Sequence, residues 1–398
     1  MDDSLKHIEL LYGQEHIGIY DVDSRVCHYA PGISESKYRE VKLLMPYIAA
    51  LFDCGIPEGP RFQILKNDYL QNLLKKDFAW FAQTSEFSTV EKKNQLYAPL
   101  PEGIKSGDKV TNTIDEDYFH ISKSGDKRGQ PVFAGVQDKF MADIVEGEDG
   151  YELTIPNDLE KEDEWYGNVI VKPAGGAGFP FLCENEFIFM NVAREIGLDA
   201  PRTWLVADSK GVRHYCVERF GIYLDEQTGE VHKENMVDLL GVMGLRAKDK
   251  YRVYLNDMFE CAKTKLSEDD FQLFCRSWYY QYFIGNTDIH PRNFSLFIRG
   301  EGDKRTWTLA PIYDIAHLPV YGYSKRQCLP LRKDDGVSCV DDFIRQFLDY
   351  GELCAIESSS MPLVTRYIGE VFNQTMSLCP SLRQYADRIR RGILNYFR

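Results

Sequence analysis

The chain has 398 residues, more than one ordinary domain, so two or three substructures are expected. Its formal charge of −14 argues against a broad basic face for DNA or RNA, although Lys123, Lys127 and Arg128 could form a local patch. A hydrophobic content of 44% with a mean hydropathy of −0.37 describes a water-soluble chain with real cores. The ten Cys are scattered without a C-x-x-C pair, the pattern of reduced thiols rather than of a disulfide frame or a zinc site. The start, Met1-Asp2-Asp3-Ser4-Leu5-Lys6, lacks the features of a signal peptide, and no apolar run approaches the roughly 18 residues of a membrane span. A cytoplasmic location is expected.

In chain order, Ile17–Val22 and Val26–Tyr29 flank Asp23-Ser24-Arg25 as a hairpin, and 46–53 reads as a helix. Phe62, Leu65, Tyr69, Leu70, Leu73 and Leu74 recur at helical spacing, and a short helix is expected at 78–81. Residues 82–130 read as a linker with a strand or two. Strands follow at 131–144, 151–155 and 168–173, the last ending in Lys172. The loop Ala174–Pro180 leads into a helix opened by Glu184-Asn185-Glu186 and closed by Gly197. Two further strands cover 204–207 and 214–220. Beyond about residue 222 the pattern turns helical, through Val237-Leu239-Leu240, Val253-Leu255 and Phe271-Phe274-Trp278-Tyr282, with Gly285 as terminator. A hairpin, 294–298 and 306–309, and two helices broken at Pro380 complete the chain.

The chemistry concentrates in Gly285–Asn293 and in Pro311-Ile312-Tyr313-Asp314-Ile315. A carboxylate, an Asn five residues on, a hairpin and a second carboxylate form the layout of kinase-type phosphoryl transfer. Asp288 suits the base that accepts the attacking hydroxyl's proton. Asn293 and Asp314 suit oxygen ligation of Mg²⁺. Taken alone, Asn286, Asp288 and Asn293 could be turn formers after a helix. Lys172 can reach nucleotide phosphates if an acidic partner, for which Glu184 and Glu186 are candidates, holds it. Gly135-Val136-Gln137-Asp138-Lys139 could cover phosphates with backbone N–H groups. Gly175-Gly176-Ala177-Gly178 lacks the Lys-Ser/Thr of a P-loop and reads as a mobile loop. Glu218-Arg219-Phe220 lies where an adenine-binding hinge would fall, and His290 is either structural or a phosphate-side contact. No H-E-x-x-H, G-x-S-x-G or G-x-G-x-x-G is present.

With these residues assembled, the chain resembles the HipA family of bacterial toxin kinases. The resemblance rests on Ala134–Lys139, Val171-Lys172, Glu184-Asn185-Glu186-Phe187, Val217–Phe220, Ile284–Asp288 through Ser295, and Ile312–Ile315. Phe52–Pro60 also looks like that family's extra N-terminal subdomain. The resemblance implies an α+β, two-lobed protein-kinase-like fold, with a β-rich N-lobe, the extra subdomain and an all-helical C-lobe. The expected division is 1–115, 116–222 and 223–398. It implies an ATP- and Mg²⁺-dependent Ser/Thr protein kinase acting on a cytosolic protein such as an aminoacyl-tRNA synthetase. Asp288 and Lys172 would be catalytic. Ala134, Gly135, Val136, Gln137, Asp138, Lys139, Lys172, Glu218, Arg219, Phe220, His290, Pro291, Arg292 and Asn293 would bind ATP, and Asn293 and Asp314 the metal. The implied partner is a helix-turn-helix antitoxin of the HipB type, through which DNA is met. In that family a Ser three residues before the loop Gly is autophosphorylated. Val132 stands there in this chain, so Ser122 and Ser124 are the upstream candidates. The segment after residue 82, Thr84-Ser85-Glu86-Phe87, also departs from the Gly-Ala-rich stretch of the family. The Asp288-x-His290-x-x-Asn293 pattern leaves a small-molecule phosphotransferase of the aminoglycoside or choline kinase type as the alternative.

Overall fold

The computed structural model describes residues 7–13, 15–21, 24, 26–47, 87–88, 94–116, 118–119, 139–156, 163–175, 179–299, 306–323, 329–332 and 339–397. The helices expected at 62–74 and 78–81, the one expected at 46–53 apart from Pro46 and Tyr47 in the 3-10 turn Met45–Tyr47, the Phe52–Pro60 stretch, Ser122, Ser124, Val132 and residues 134–138 and 176–178 lie outside these residues.

Strands β1 (His7–Tyr12), β2 (Glu15–Asp21), β3 (Val26–Tyr29) and β4 (Phe87–Ser88) form one antiparallel sheet in the order β3-β2-β1-β4. The expected hairpin is β2–β3. Helix α1 (Glu35–Leu44), capped by Ser34, lies against this sheet, so Val41 and Leu44 are buried with Leu10, Ile17 and Tyr20. The same cluster includes Val237 and Ile298 from far along the chain.

The main sheet has six strands in the order β11-β12-β10-β7-β8-β6. Its members are β6 (Val110–Asn112), β7 (Phe140–Gly147), β8 (Gly150–Thr154), β10 (Val169–Lys172), β11 (Thr203–Ala207) and β12 (Arg213–Glu218). A separate parallel pair joins β5 (Asn94–Tyr97) to β9 (Asp163–Tyr166). Lys172 faces Tyr215 across the β10–β12 ladder, at the end of a buried strand. Helix α2 (Leu182–Glu195) packs on β11 and β12 of this sheet and is buried almost throughout, from Cys183 to Ala193.

Past residue 222 the chain is less helical than its pattern predicts. β13 (Ile222–Leu224) and β14 (Val231–Lys233) form a hairpin, and β15 (Asn235–Asp238) pairs with β16 (Ser295–Arg299), which pairs with β17 (Thr306–Leu309). Val237 therefore lies in a strand, while Leu239 and Leu240 open the short helix α3 (Leu239–Val242). Helix α4 (Leu255–Lys265) precedes α5 (Glu268–Phe283). Ser267 caps α5, and Glu268, Asp269 and Asp270 meet the positive end of its dipole. Phe271, Phe274, Trp278 and Tyr282 form the buried stripe that the spacing predicts. Gly285 then takes φ 77°, and a Cβ there would come within 2.8 Å of Pro319. Glycine is required on both counts. Helices α6 (Val340–Ile344), α7 (Tyr350–Leu378) and α8 (Arg383–Tyr396) follow, with the break at Pro380. One apolar core runs from Cys183 on α2 to Ile393 on α8, so the site between them rests on a continuous packed body. Among the described residues no helix is long and apolar enough to cross a membrane.

Candidate active site

Lys172 is the hub. Its side chain is 5% exposed, and its ammonium lies 3.0 Å from both Glu186 carboxylate oxygens while donating a short hydrogen bond to Asp314. A buried ammonium is costly unless paired. Burial works to neutralise Lys172, but the carboxylates of Asp314 and then Glu186 outweigh it and raise its pKa. Burial likewise favours a neutral Asp314, but Lys139 and Lys172 overcome it and hold the carboxyl below the usual range. Lys139, the described end of the expected phosphate loop, reaches within 3.8 Å of Asp314 Oδ2. Asp314 has φ 56°, the left-handed region that a non-glycine residue enters at a cost, and its carboxylate is 36% exposed.

The Glu184-Asn185-Glu186 triplet does three separate jobs from the first turn of α2. Glu186 holds Lys172. Glu184 faces Arg213 at 3.5 Å, and Arg213 reaches the Val371 carbonyl of α7 at 2.8 Å, tying sheet, helix and C-terminal lobe together. Asn185 exchanges two hydrogen bonds with the His317 backbone. It donates to the carbonyl at 2.8 Å and accepts from the amide at 2.7 Å, which fixes the segment carrying Asp314. The acidic partner expected for Lys172 is thus Glu186. The clamp by Asn185 escaped sequence reasoning because an Asn near a helix start reads as a local cap.

The Gly285–Asn293 loop is anchored at every turn. Asn286 accepts from the Asp288 amide at 3.2 Å, and the Asn293 carboxamide oxygen accepts from the His290 amide at 3.1 Å. Arg292, expected near ATP, instead forms a buried pair with Asp238 at 3.0 Å, and Asp238 also caps α3. Tyr313 donates to the Arg292 carbonyl at 2.8 Å, so the residue before Asp314 is bonded to the backbone of the Gly285–Asn293 loop. Asp288 is 52% exposed. His290 is buried beside it, and burial lowers its pKa to about 4, opposed by Asp288 and reinforced by Lys250. The fields of Asp288 and Asp314 both act on His290 and Lys250, and the Tyr313–Arg292 bond ties the segment of one to the loop of the other.

At the expected hinge, Glu218 pairs with Arg202 at 2.7 Å, and Phe220 packs against Phe297 and Tyr313. The amides of Glu218 and Arg219 already donate to Arg202 and Asn168 carbonyls. Arg219 lies over the Tyr166 ring, and Pro291 is buried at the start of the 3-10 turn Pro291–Asn293.

The hard-oxygen set of one carboxylate and one carboxamide fits Mg²⁺. Asp314 keeps an exposed face, and the Asn293 oxygen, oriented by its bond from His290, retains a second lone pair. By donor chemistry Asn293 and Asp314 are the residues that would hold the ion, together with phosphate oxygens.

A sheet-rich lobe bearing the Lys–Glu pair, followed by a mostly helical lobe bearing the Asp–Asn loop and Asp314, is an α+β two-lobed kinase-like fold. Residues 132–377 match the family model described as the HipA-like C-terminal domain, more than half of the chain, and the chain belongs to the HipA family. It is 30% identical over 202 residues to a Haemophilus influenzae protein named "Putative kinase", a match covering 46% of this chain and 56% of that protein. It is 33% identical over 194 residues to the Sinorhizobium fredii "Putative kinase Y4dM", covering 46% and 44%. The chain therefore spans about half the length of these curated relatives. Among solved structures, the HipA chain of the Shewanella oneidensis toxin–antitoxin complex of HipA, HipB and operator DNA matches over 98% of this chain and 96% of that one. Its TM-score is 0.57 at 18% identity, a likeness of fold.

Proposed function

We propose that the chain is an ATP- and Mg²⁺-dependent kinase that phosphorylates Ser or Thr of a cytosolic protein, such as an aminoacyl-tRNA synthetase, as the toxin of a toxin–antitoxin pair. The observation that carries this is Lys172 held between Glu186 and Asp314, with the Asp314 segment bonded through Tyr313 to the loop that carries Asp288. In this reading Lys172 and Lys139 bind phosphate oxygens, with residues 134–138 completing the phosphate loop. Phe220, with the carbonyls of Glu218 and Arg219, offers the adenine contact. His290 and Pro291 wall the site and Arg292 shapes its loop. Asp288 accepts the acceptor hydroxyl's proton as that oxygen bonds to the γ-phosphorus. Mg²⁺ on Asn293 and Asp314 would neutralise charge on the phosphates. The three-part division at residues 115 and 222 belongs to the same reading. The HipB and operator DNA of the Shewanella complex support a helix-turn-helix antitoxin as partner, with DNA met through it. Ser122 and Ser124 remain the proposed autophosphorylation sites.

The test is transfer from γ-labelled ATP into a cell lysate by wild type and Asp288→Ala. Labelled protein bands with wild type alone support the proposal. Label confined to small molecules points to the aminoglycoside- or choline-kinase type, and no transfer by either protein overturns the enzyme reading.

A further inference from the structure

Tyr251 belongs to none of the motifs above, yet it touches their centre. It lies in the turn after the 3-10 segment Ala247–Asp249, and its hydroxyl donates a 2.6 Å hydrogen bond to Asp288 Oδ1. Its ring meets His290 edge-on at 5.3 Å, and the Lys250 ammonium stands 5.0 Å from the ring centroid. The other Asp288 oxygen, Oδ2, is 4.0 Å from His290 Nε2, beyond hydrogen-bond reach. A half-exposed carboxylate turns easily about its terminal torsion, whereas a general base must stay within hydrogen-bond reach of the proton it takes. Fixing one oxygen fixes the other.

We infer that Tyr251 is a positioning residue for phosphoryl transfer: by tying Oδ1 it presents Oδ2 of Asp288 to the acceptor hydroxyl. This rests on Asp288 being the base. In the step itself the acceptor oxygen bonds to the γ-phosphorus, the bond from that phosphorus to the β-γ bridging oxygen breaks, and ADP leaves with the electron pair. The acceptor's proton goes to Oδ2. The groups at the carboxylate are Tyr251 and His290, Lys250 stands against the Tyr251 ring, and the fields of Lys250 and Asp314 both act on His290.

Tyr251→Phe keeps the ring against His290 and removes only the donor. γ-Phosphate release to water and transfer to dephosphorylated casein are measured for wild type, Tyr251→Phe and Tyr251→Gln, which restores a donor. The expected result for Tyr251→Phe is a kcat about tenfold lower, an unchanged KM for ATP and an unchanged Tm, with part of the rate regained in Tyr251→Gln. An unchanged or higher kcat, or a loss that tracks a lower Tm and is not regained in Tyr251→Gln, overturns the inference. The carbon NMR signal of the Asp288 carboxylate in the free protein at neutral pH reads the same bond without turnover. An identical Asp288 signal in wild type and Tyr251→Phe also overturns it. If wild type transfers no phosphate while the signals differ, the kinase reading fails and the tie between Tyr251 and Asp288 stands.

Discussion

A single ammonium decides most of what the site can do. Lys172 satisfies two carboxylates at once, so replacing it by Ala leaves Glu186 buried without its counter-charge. Lys172→Ala should cost about 3–5 kcal/mol in urea unfolding. Asp314→Asn keeps the shape but removes the charge a cation needs. It should abolish Mg²⁺-dependent ATP binding by calorimetry while the far-UV spectrum stays native, and unchanged binding would rule out its metal role. The buried imidazoles His290 and His317 both have pKa values lowered by burial to about 4. Between pH 6.5 and about 4 these two imidazoles bind protons in the unfolded chain but not in the folded one, so their contribution to stability is lost as pH falls through that window. Each contributes at most roughly 3 kcal/mol. Asp314 has a lowered pKa, and its contribution is lost only at lower pH, below the usual carboxylate range. Between pH 6.5 and 4, Tm by calorimetry should fall less, or rise more, in His317→Gln than in wild type.

At the scale of elements, α2 is the piece on which the site is hung. Removing the Asn185 clamp by Asn185→Ala strands the backbone groups of His317, for about 1–3 kcal/mol in denaturant unfolding. It should also lower transfer activity, because the backbone bearing Asp314 loosens. Periodicity and punctuation made part of this level legible in the sequence. The aromatic stripe of α5, its stop at Gly285, the β16–β17 hairpin and the Lys172 strand were all readable because each is a local pattern. β15 was not: Val237, Leu239 and Leu240 fit a helical spacing, and only pairing with Val237's partner Leu296, far along the chain, makes the first of them a strand residue. Tyr251 was unreadable for the same reason, since nothing local links it to Asp288. The buried partner of Arg292, Asp238, lies in another element and gives no local signal.

The whole molecule is held by contacts that ignore the order of the chain. The N-terminal sheet buries Leu10 and Tyr12 against Val237 and Ile298, and Asn235 donates to the Tyr12 hydroxyl at 2.9 Å. Leu10→Asp should thus lower Tm for the entire protein, and calorimetry should show one broadened or shifted transition rather than loss of a separate early one. Arg213 works at the same scale, since Glu184 and α7 share it; Arg213→Leu should release α7 and speed its amide exchange. The triplet at 184–186 gives this wiring an unusual sensitivity to insertion. Three neighbouring side chains point to three different parts of the molecule, and each extra residue in a helix rotates all later positions by about 100°. One added codon just before Glu184 would therefore misdirect all three ties together, whereas the same codon in the surface turn at Gly150 should pass almost unnoticed.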